Sequence, residues 1–416
     1  MPVAIKSLFL SKFLSFPQEG TAIDLLPLNV MIGPNASGKS NFIESLRFLK
    51  HVPLNLDTYL RTIGYQFFWN WRAFQPFPSC HLAFQATTPD PNLLLTYEID
   101  ALKFDSEELE LNERLILDDL RSTSSEPRLH ILNRANSHAN MRRTNRVDRT
   151  EGNTTYQDGS FMVHPLEEEP RIIYRIENPT ESVFSQFRDS ENFACQSYVS
   201  DLLKTLWIAN PIGIGSLNRL RLPQDSDLPR EFLQQDFSNL ASVLNRLAEQ
   251  RQVEEKINDY LRRVYELVDS FHVVIDGRAL RLVMRERNLA NPIPASRLSD
   301  GTLWFCCLLA LLSHPKPPPL VCLEEPELGL HPDLIHVLAE MLVDAATRTQ
   351  IIVTTHSDRL VTSLGQLGHL DSIVVCERGE KGTEMRRLDA EKMAKWLDRY
   401  TLGELWLKGQ LGGKRW

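Results

Sequence analysis

No apolar run in this chain of 416 residues approaches the roughly 18–20 residues that a membrane-spanning helix needs. Residues 1–16 are interrupted by Lys6, Ser7, Ser11, Lys12 and Ser15, and they lack the apolar core and small-residue cleavage site of a secretory signal. The six cysteines, Cys80, Cys195, Cys306, Cys307, Cys322 and Cys376, form no Cys-x-x-Cys pair, and most sit inside apolar runs. They are expected to be buried, reduced thiols of a cytoplasmic protein with no membrane partner, a zinc site being the lesser alternative. Internal repeats are missing, as is any heptad run long enough for an extended coiled coil. An excess of positive charge is missing too: the net charge is -8. Nucleic acid therefore stays open as a partner only through a local basic patch.

What remains is ordinary soluble-protein chemistry, with 42% apolar and 24% charged residues. The length suggests two to three compact units. Residues 3–32 alternate apolar and polar around breaks at 17–20 and Pro27, which predicts short antiparallel strands. Residues 29–32 read as a strand ending at Gly33, and Phe42, Ile43, Leu46 and Leu49 then make a helical stripe. Strand-like runs follow between 80 and 131, whereas the polar stretch 133–160 reads as a flexible loop. Helical stripes mark about 180–270, including Leu240, Leu244 and Leu247, then Ile257, Leu261, Val264 and Val268. Strands return at 271–275 and 279–284, and from 299 to 376 helices alternate with apolar strands, as a parallel sheet requires.

Residues 33–40 read Gly33-Pro34-Asn35-Ala36-Ser37-Gly38-Lys39-Ser40 and fit G-x-x-x-x-G-K-[ST]. The glycines let backbone N–H groups curl around phosphate oxygens, Lys39 supplies a point charge, and Ser40 presents a hydroxyl to Mg²⁺. The helix that starts here directs its positive end at the anion. Such a match arises by chance on the order of once in a hundred chains of this length, and here a strand precedes it and an amphipathic helix follows.

Residues 320–323, Leu-Val-Cys-Leu, have the continuous apolar character of a central parallel strand, and they end in Glu324-Glu325-Pro326-Glu327. Adjacent acids at a buried strand end are costly unless they face a metal or a cleft, and ligand sites of open α/β sheets lie at such ends. Glu324 is expected in the Mg²⁺ shell through water, and Glu325 is expected to polarise the attacking water. A charged turn is the alternative for both. Residues 351–357, Ile-Ile-Val-Thr-Thr-His-Ser, read as another buried strand ending in polar groups, among which His356 is placed to donate to a terminal phosphate or to serve structure alone. Leu298-Ser299-Asp300-Gly301-Thr302 precedes an apolar helix. Ser299 is a good N-cap by itself, and the sharper reading is a second anion site.

These four stretches, in this order, resemble the ABC-type ATPase heads of the SMC, RecF and OLD families, most of all the short bacterial ATPases of phage-defence and genome-maintenance operons. The resemblance covers about half the chain. It implies an α/β P-loop fold with an antiparallel β lobe, a parallel-sheet core and a helical insertion. The expected division is 1–177 for the first part of the head with phosphate loop and β lobe, 178–270 for the helical insertion, 271–390 for the second part of the head, and 391–416 for a tail. It also implies that two copies sandwich two ATP molecules, the phosphate loop of one facing Ser299 and Gly301 of the other, with residues 326–332 touching the partner. The sequence departs from the wider pattern at Glu324, where Asp is usual, and at Ser-Asp-Gly-Thr, which is not the transporter signature. The Q-loop glutamine is left open among Gln66, Gln75 and Gln85.

The leading expectation is an ATPase acting as the gated sensor or motor of a DNA-associated or phage-defence system, with a separate effector such as a nuclease encoded nearby. No second acidic cluster of the two-metal nuclease kind follows residue 357. The alternatives are an ATP-binding regulatory module with little hydrolysis, motivated by Glu324, and a transporter subunit. Arg134, Arg142, Arg143, Arg146 and Arg149 crowd one polar segment that could contact nucleic-acid phosphates. A solvated loop is the other reading, because no aromatic residues interleave for base stacking.

Overall fold

The computed structural model describes residues 3–411 apart from 65–78, 104–108, 121–127, 136–137, 142–149, 152–153, 156–171, 176–177, 179, 187–192, 210–216, 390–392, 394–395 and 398. Gln66, Gln75, Arg142, Arg143, Arg146 and Arg149 lie outside the described residues.

The N-terminal part builds an antiparallel lobe. Its strands are β1 (Ile5–Ser11), β2 (Thr21–Asp24), β4 (Ser79–Thr87), β5 (Leu93–Lys103), β6 (Leu109–Asp119), β7 (Arg128–Ala135), β8 (His138–Met141) and β11 (Ile172–Arg175), in the order β11-β8-β7-β6-β5-β4-β1-β2. Period-two alternation sets each strand's inner face. In β4, Cys80, Leu82, Phe84 and Ala86 are buried while the residues between them are half-exposed. The stretch 133–160, expected as a loop, holds the end of β7, all of β8, and a small hairpin of β9 (Thr150–Glu151) and β10 (Thr154–Thr155). Strands of two to four residues are too short for alternation to reveal.

The core sheet has six strands: β12 (Trp207–Ile208), β17 (Leu320–Glu324), β18 (Gln350–Thr354), β3 (Leu28–Ile32), β19 (Ile373–Arg378) and β20 (Thr383–Arg387), in that order. All pairs are parallel except β19 with β20. A parallel sheet is covered on both faces, and alternate residues of these strands belong to different cores. Val30, Ile32, Val321, Leu323, Ile351, Val353 and Val375 join one cluster. Met31, Leu320, Cys322, Ile352, Val374 and Cys376 join the other.

The second cluster contains the lobe and helices α1 (Lys39–His51), α2 (Leu56–Ile63) and α4 (Ala194–Thr205), with the short α3 (Val183–Gln186) beside them. Phe42, Ile43, Leu46 and Leu49 of α1 are fully buried there. The first cluster contains α5 (Leu240–Ala248), α6 (Arg251–Val264), α7 (Asp300–Leu312), α8 (Leu334–Ala345), α9 (Asp358–Gln366) and α10 (Leu402–Leu407). Residues 178–270 thus contribute helices to both sides and the edge strand β12 between them. A small sheet of β13 (Gln224–Asp225), β14 (Val268–Asp276), β15 (Ala279–Glu286) and β16 (Ile293–Pro294) closes the α6 side. Within 391–416, α10 is capped reciprocally by Thr401 and Glu404, and Leu402, Leu405 and Trp406 are buried in the core. All six cysteines are free and buried.

Candidate functional site

Strand β3 reads Leu-Asn-Val-Met-Ile and is buried throughout, so the chain can leave it only by a tight turn. Gly33 makes that turn at φ +154, and a Cβ there would lie 2.2 Å from the Cys376 carbonyl oxygen. No other residue type allows that approach. Ala36 and Gly38 are also left-handed, at φ 60 and 104. Gly38 caps α1 without a side-chain bond, and the first turn carries no acid. The first intrahelical partner is Phe42 N–H to Gly38 O, so the N–H groups before it face the loop.

Lys39 is only 6% exposed, and its Nζ donates to Gly33 O at 2.9 Å and Pro34 O at 3.0 Å. Burial lowers its pKa, opposed by the Glu325 carboxylate. A buried cation with two carbonyl partners is poised for an anion. Ser37 Oγ is buried without a hydrogen-bond partner. Ser40 is exposed at the start of α1.

The other groups arrive through strand register. Glu324 of β17 pairs with Thr354 of β18, which pairs with Met31 of β3. The three strands end side by side, and Thr355 N–H donates to Met31 O at 3.0 Å. Glu324 accepts Arg47 Nη2 at 2.8 Å. Burial raises the pKa of Glu324 and the Arg47 guanidinium opposes the shift. Glu325 takes φ +45, a left-handed conformation costing about 1–2 kcal/mol for a residue with a Cβ, and so leaves the strand direction. Its Oε1 lies 3.7 Å from His356 Nε2, too far for a hydrogen bond and close enough to share a ligand.

Two residues had no assigned role in the sequence. Glu327 Oε1 accepts from the Thr355 hydroxyl and from His356 N–H at 3.1 Å, tying the acidic loop to the turn after β18. Its Oε2 is buried without a partner, and burial raises its pKa against the Thr355 bond. Arg47 joins Glu324 to α1 from 277 positions away. Its signal in the sequence was its helical spacing from Ser40.

Ser299 caps α7: its Oγ accepts Thr302 N–H at 3.1 Å, and it is otherwise exposed. A Cβ on Gly301 would lie 2.4 Å from the Gly329 carbonyl oxygen, so the 299–302 turn is packed on the 326–332 loop. Trp304 Nε1 donates to Pro326 O at 2.7 Å across the same junction. No hydrogen bond among the described residues joins the 299–302 turn to the 33–40 loop. Gln85 lies on β4, where its Oε1 accepts from Ser7 Oγ at 3.2 Å.

The arginine cluster needs correction at its first member. Arg134 is fully buried: its Nη1 pairs with Glu113 Oε2 at 2.8 Å, with neither side chain exposed. It also donates to Glu181 O at 2.6 Å. It has no surface to offer a phosphate. Among the described residues, no group of three or more His, Cys, Asp or Glu side chains gathers as a metal cage, and no helix is long and apolar enough to cross a membrane.

The fold is that of SMC head domains. It is similar to the SMC head bound to the C-winged helix domain of ScpA, with a TM-score of 0.55 at 11% identity, over 94% of this chain and 100% of that one. It is similar also to the Smc head with an extended coiled coil, bound to the C-terminal domain of ScpA, from Pyrococcus furiosus. That TM-score is 0.50 at 12% identity, over 96% of this chain and 99% of the other. At these identities the likeness is one of fold. No curated protein matches the sequence. Residues 28–362 match the family described as "AAA domain, putative AbiEii toxin, Type IV TA system", and with the phosphate loop and strand ends in place the chain belongs to that family of P-loop ATPases.

Proposed function

We propose that the chain binds ATP with Mg²⁺ at the 33–40 loop, hydrolyses it where two copies meet head to head, and thereby gates a separate effector. The observation that carries this reading is the meeting of the phosphate loop, Glu324, Glu325 and His356 at the carboxyl ends of three adjoining parallel strands, where open α/β sheets hold their ligands.

The donor chemistry fits magnesium. Mg²⁺ takes few protein ligands, all oxygen, and completes its shell with water and phosphate. The Ser40 hydroxyl and the Glu324 carboxylate would hold it, and no all-protein cage is needed. When bound, the ion neutralises phosphate charge. Gly33, Pro34, Asn35, Ala36, Ser37 and Gly38 wrap the phosphates with backbone, and Lys39 supplies the fixed cation. Glu325 polarises the attacking water, and His356, held at its backbone by Glu327, donates to the terminal phosphate. Ser299 and Gly301 with residues 326–332 make one surface, from which Leu328 stands 64% exposed. A second copy would receive it.

The family's description as a toxin of a type IV system supports a place in defence, and the ScpA complexes of the similar heads support a protein partner. A slow nucleotide switch is the second reading, favoured by Glu324 being held by Arg47. Lys39→Ala should abolish ATP binding. Ser299→Arg should keep ATP binding by the monomer and block ATP-dependent pairing, read by light scattering. Equal pairing with and without ATP would overturn the gating.

A further inference from the structure

Ser40, Glu44 and Arg47 recur at helical spacing and share one face of α1. Helical side chains lean toward the N-terminus, so the Arg47 guanidinium is carried back toward Ser40. There its Nη2 meets Glu324 Oε1 at 2.8 Å and Ala209 O at 2.9 Å, and its Nη1 meets Glu44 Oε2 at 3.2 Å. Glu44 Oε1 accepts from the Tyr59 hydroxyl of α2. Tyr59 stacks on His51 with ring centroids 3.9 Å apart, and His51 Nδ1 lies 2.8 Å from Arg47 O. Arg47 is thus fixed from three sides, with its Nε buried and unpartnered. A guanidinium that gives up solvent at Nε needs a compensating role.

We propose that Arg47 is a positioning residue for the metal-facing carboxylate Glu324, an inference that rests on the Mg²⁺ role given to Glu324 above. Glu carries one more rotatable bond than the usual Asp. Engaging Oε1 removes that freedom and leaves Oε2 as an acceptor for a metal-bound water. The planar fork of Arg suits this better than the single point charge of Lys. Because Lys39, Ser40 and Arg47 stand on one helix, the phosphate cation, the hydroxyl ligand and the orienter of the carboxylate keep one geometry.

The test uses the full chain and a fluorescent ATP analogue, titrated in EDTA and then with Mg²⁺. Removing a partner that orients a metal ligand weakens metal affinity by about 10–100-fold. Arg47→Met should therefore leave affinity in EDTA unchanged and raise the half-saturating Mg²⁺ concentration by about tenfold or more. Glu324→Gln should show a comparable rise, and Arg47→Met added to it should do nothing further. Arg47→Lys should fall between, and it stands as the test if Arg47→Met does not fold. Three results would overturn the inference: an unchanged half-saturation, a lowered one (Arg47 then competes with the metal), or an Arg47 effect that persists in the Glu324→Gln background. Wild-type protein that gains nothing from Mg²⁺ would instead remove the underlying reading of Glu324, and the inference with it.

Discussion

Arg134→Met separates a structural arginine from a phosphate-binding one. Glu113 Oε2 receives Arg134 Nη1 at 2.8 Å and Val183 N–H at 2.9 Å, and its Oε1 receives the Tyr97 hydroxyl at 2.7 Å and the Ser182 hydroxyl. Removing one partner of a buried ion pair typically costs 3–5 kcal/mol, because a charge is left uncompensated. The three remaining donors on Glu113 place the expected loss at the lower end, about 3 kcal/mol. Adding Glu113→Gln takes the charge away, and the double variant should recover all but about 1 kcal/mol, the worth of lost hydrogen bonds. The assay is urea unfolding followed by tryptophan fluorescence, beside DNA-binding anisotropy at several salt concentrations. An unchanged unfolding midpoint with weakened, salt-sensitive DNA binding would refute the structural assignment. So would a double variant no more stable than Arg134→Met alone.

Glu325→Gln should retain ATP binding and lower turnover by roughly 10²–10⁴-fold, the usual worth of a positioned general base. Phosphate release in single-turnover conditions reads this, and equal rates would favour the switch without hydrolysis. Glu327 gives a pH prediction. Burial raises its pKa in the folded chain, so its contribution to stability is full below the ordinary carboxylate range and is lost as pH rises through the raised value. Glu327→Gln should flatten the unfolding midpoint across that window, and superimposable profiles would exclude Glu327 as the group concerned.

The site was legible where chemistry is local. The 33–40 loop is a contiguous motif, and the acids at the end of β17 declare themselves by following four apolar residues. Pairings across the chain were not legible, since Arg47 and Glu324 have no neighbouring signal that joins them. The burial of Arg134 has a signal in the strand before it. In β6, Leu109, Leu111, Glu113 and Leu115 are buried while Glu110, Asn112 and Arg114 are not. A carboxylate in an inward register demands a buried cation, and the next strand supplies it. The 178–270 span read as helical because its stripes are long. The two-residue β12 within it is too short for period two to register, yet it extends the core sheet.

The position of β3 bears on how the molecule is made. This strand, residues 28–32, lies between strands at 350–354 and 373–378. On the ribosome it waits for partners that emerge only after several hundred more residues, which at about 5–20 residues per second is tens of seconds. During that interval the strand is an apolar segment with unpaired edges, and the glycine turn after it lacks the Cys376 carbonyl that packs against it. The nucleotide site proposed above is therefore complete only on a chain synthesised past residue 378.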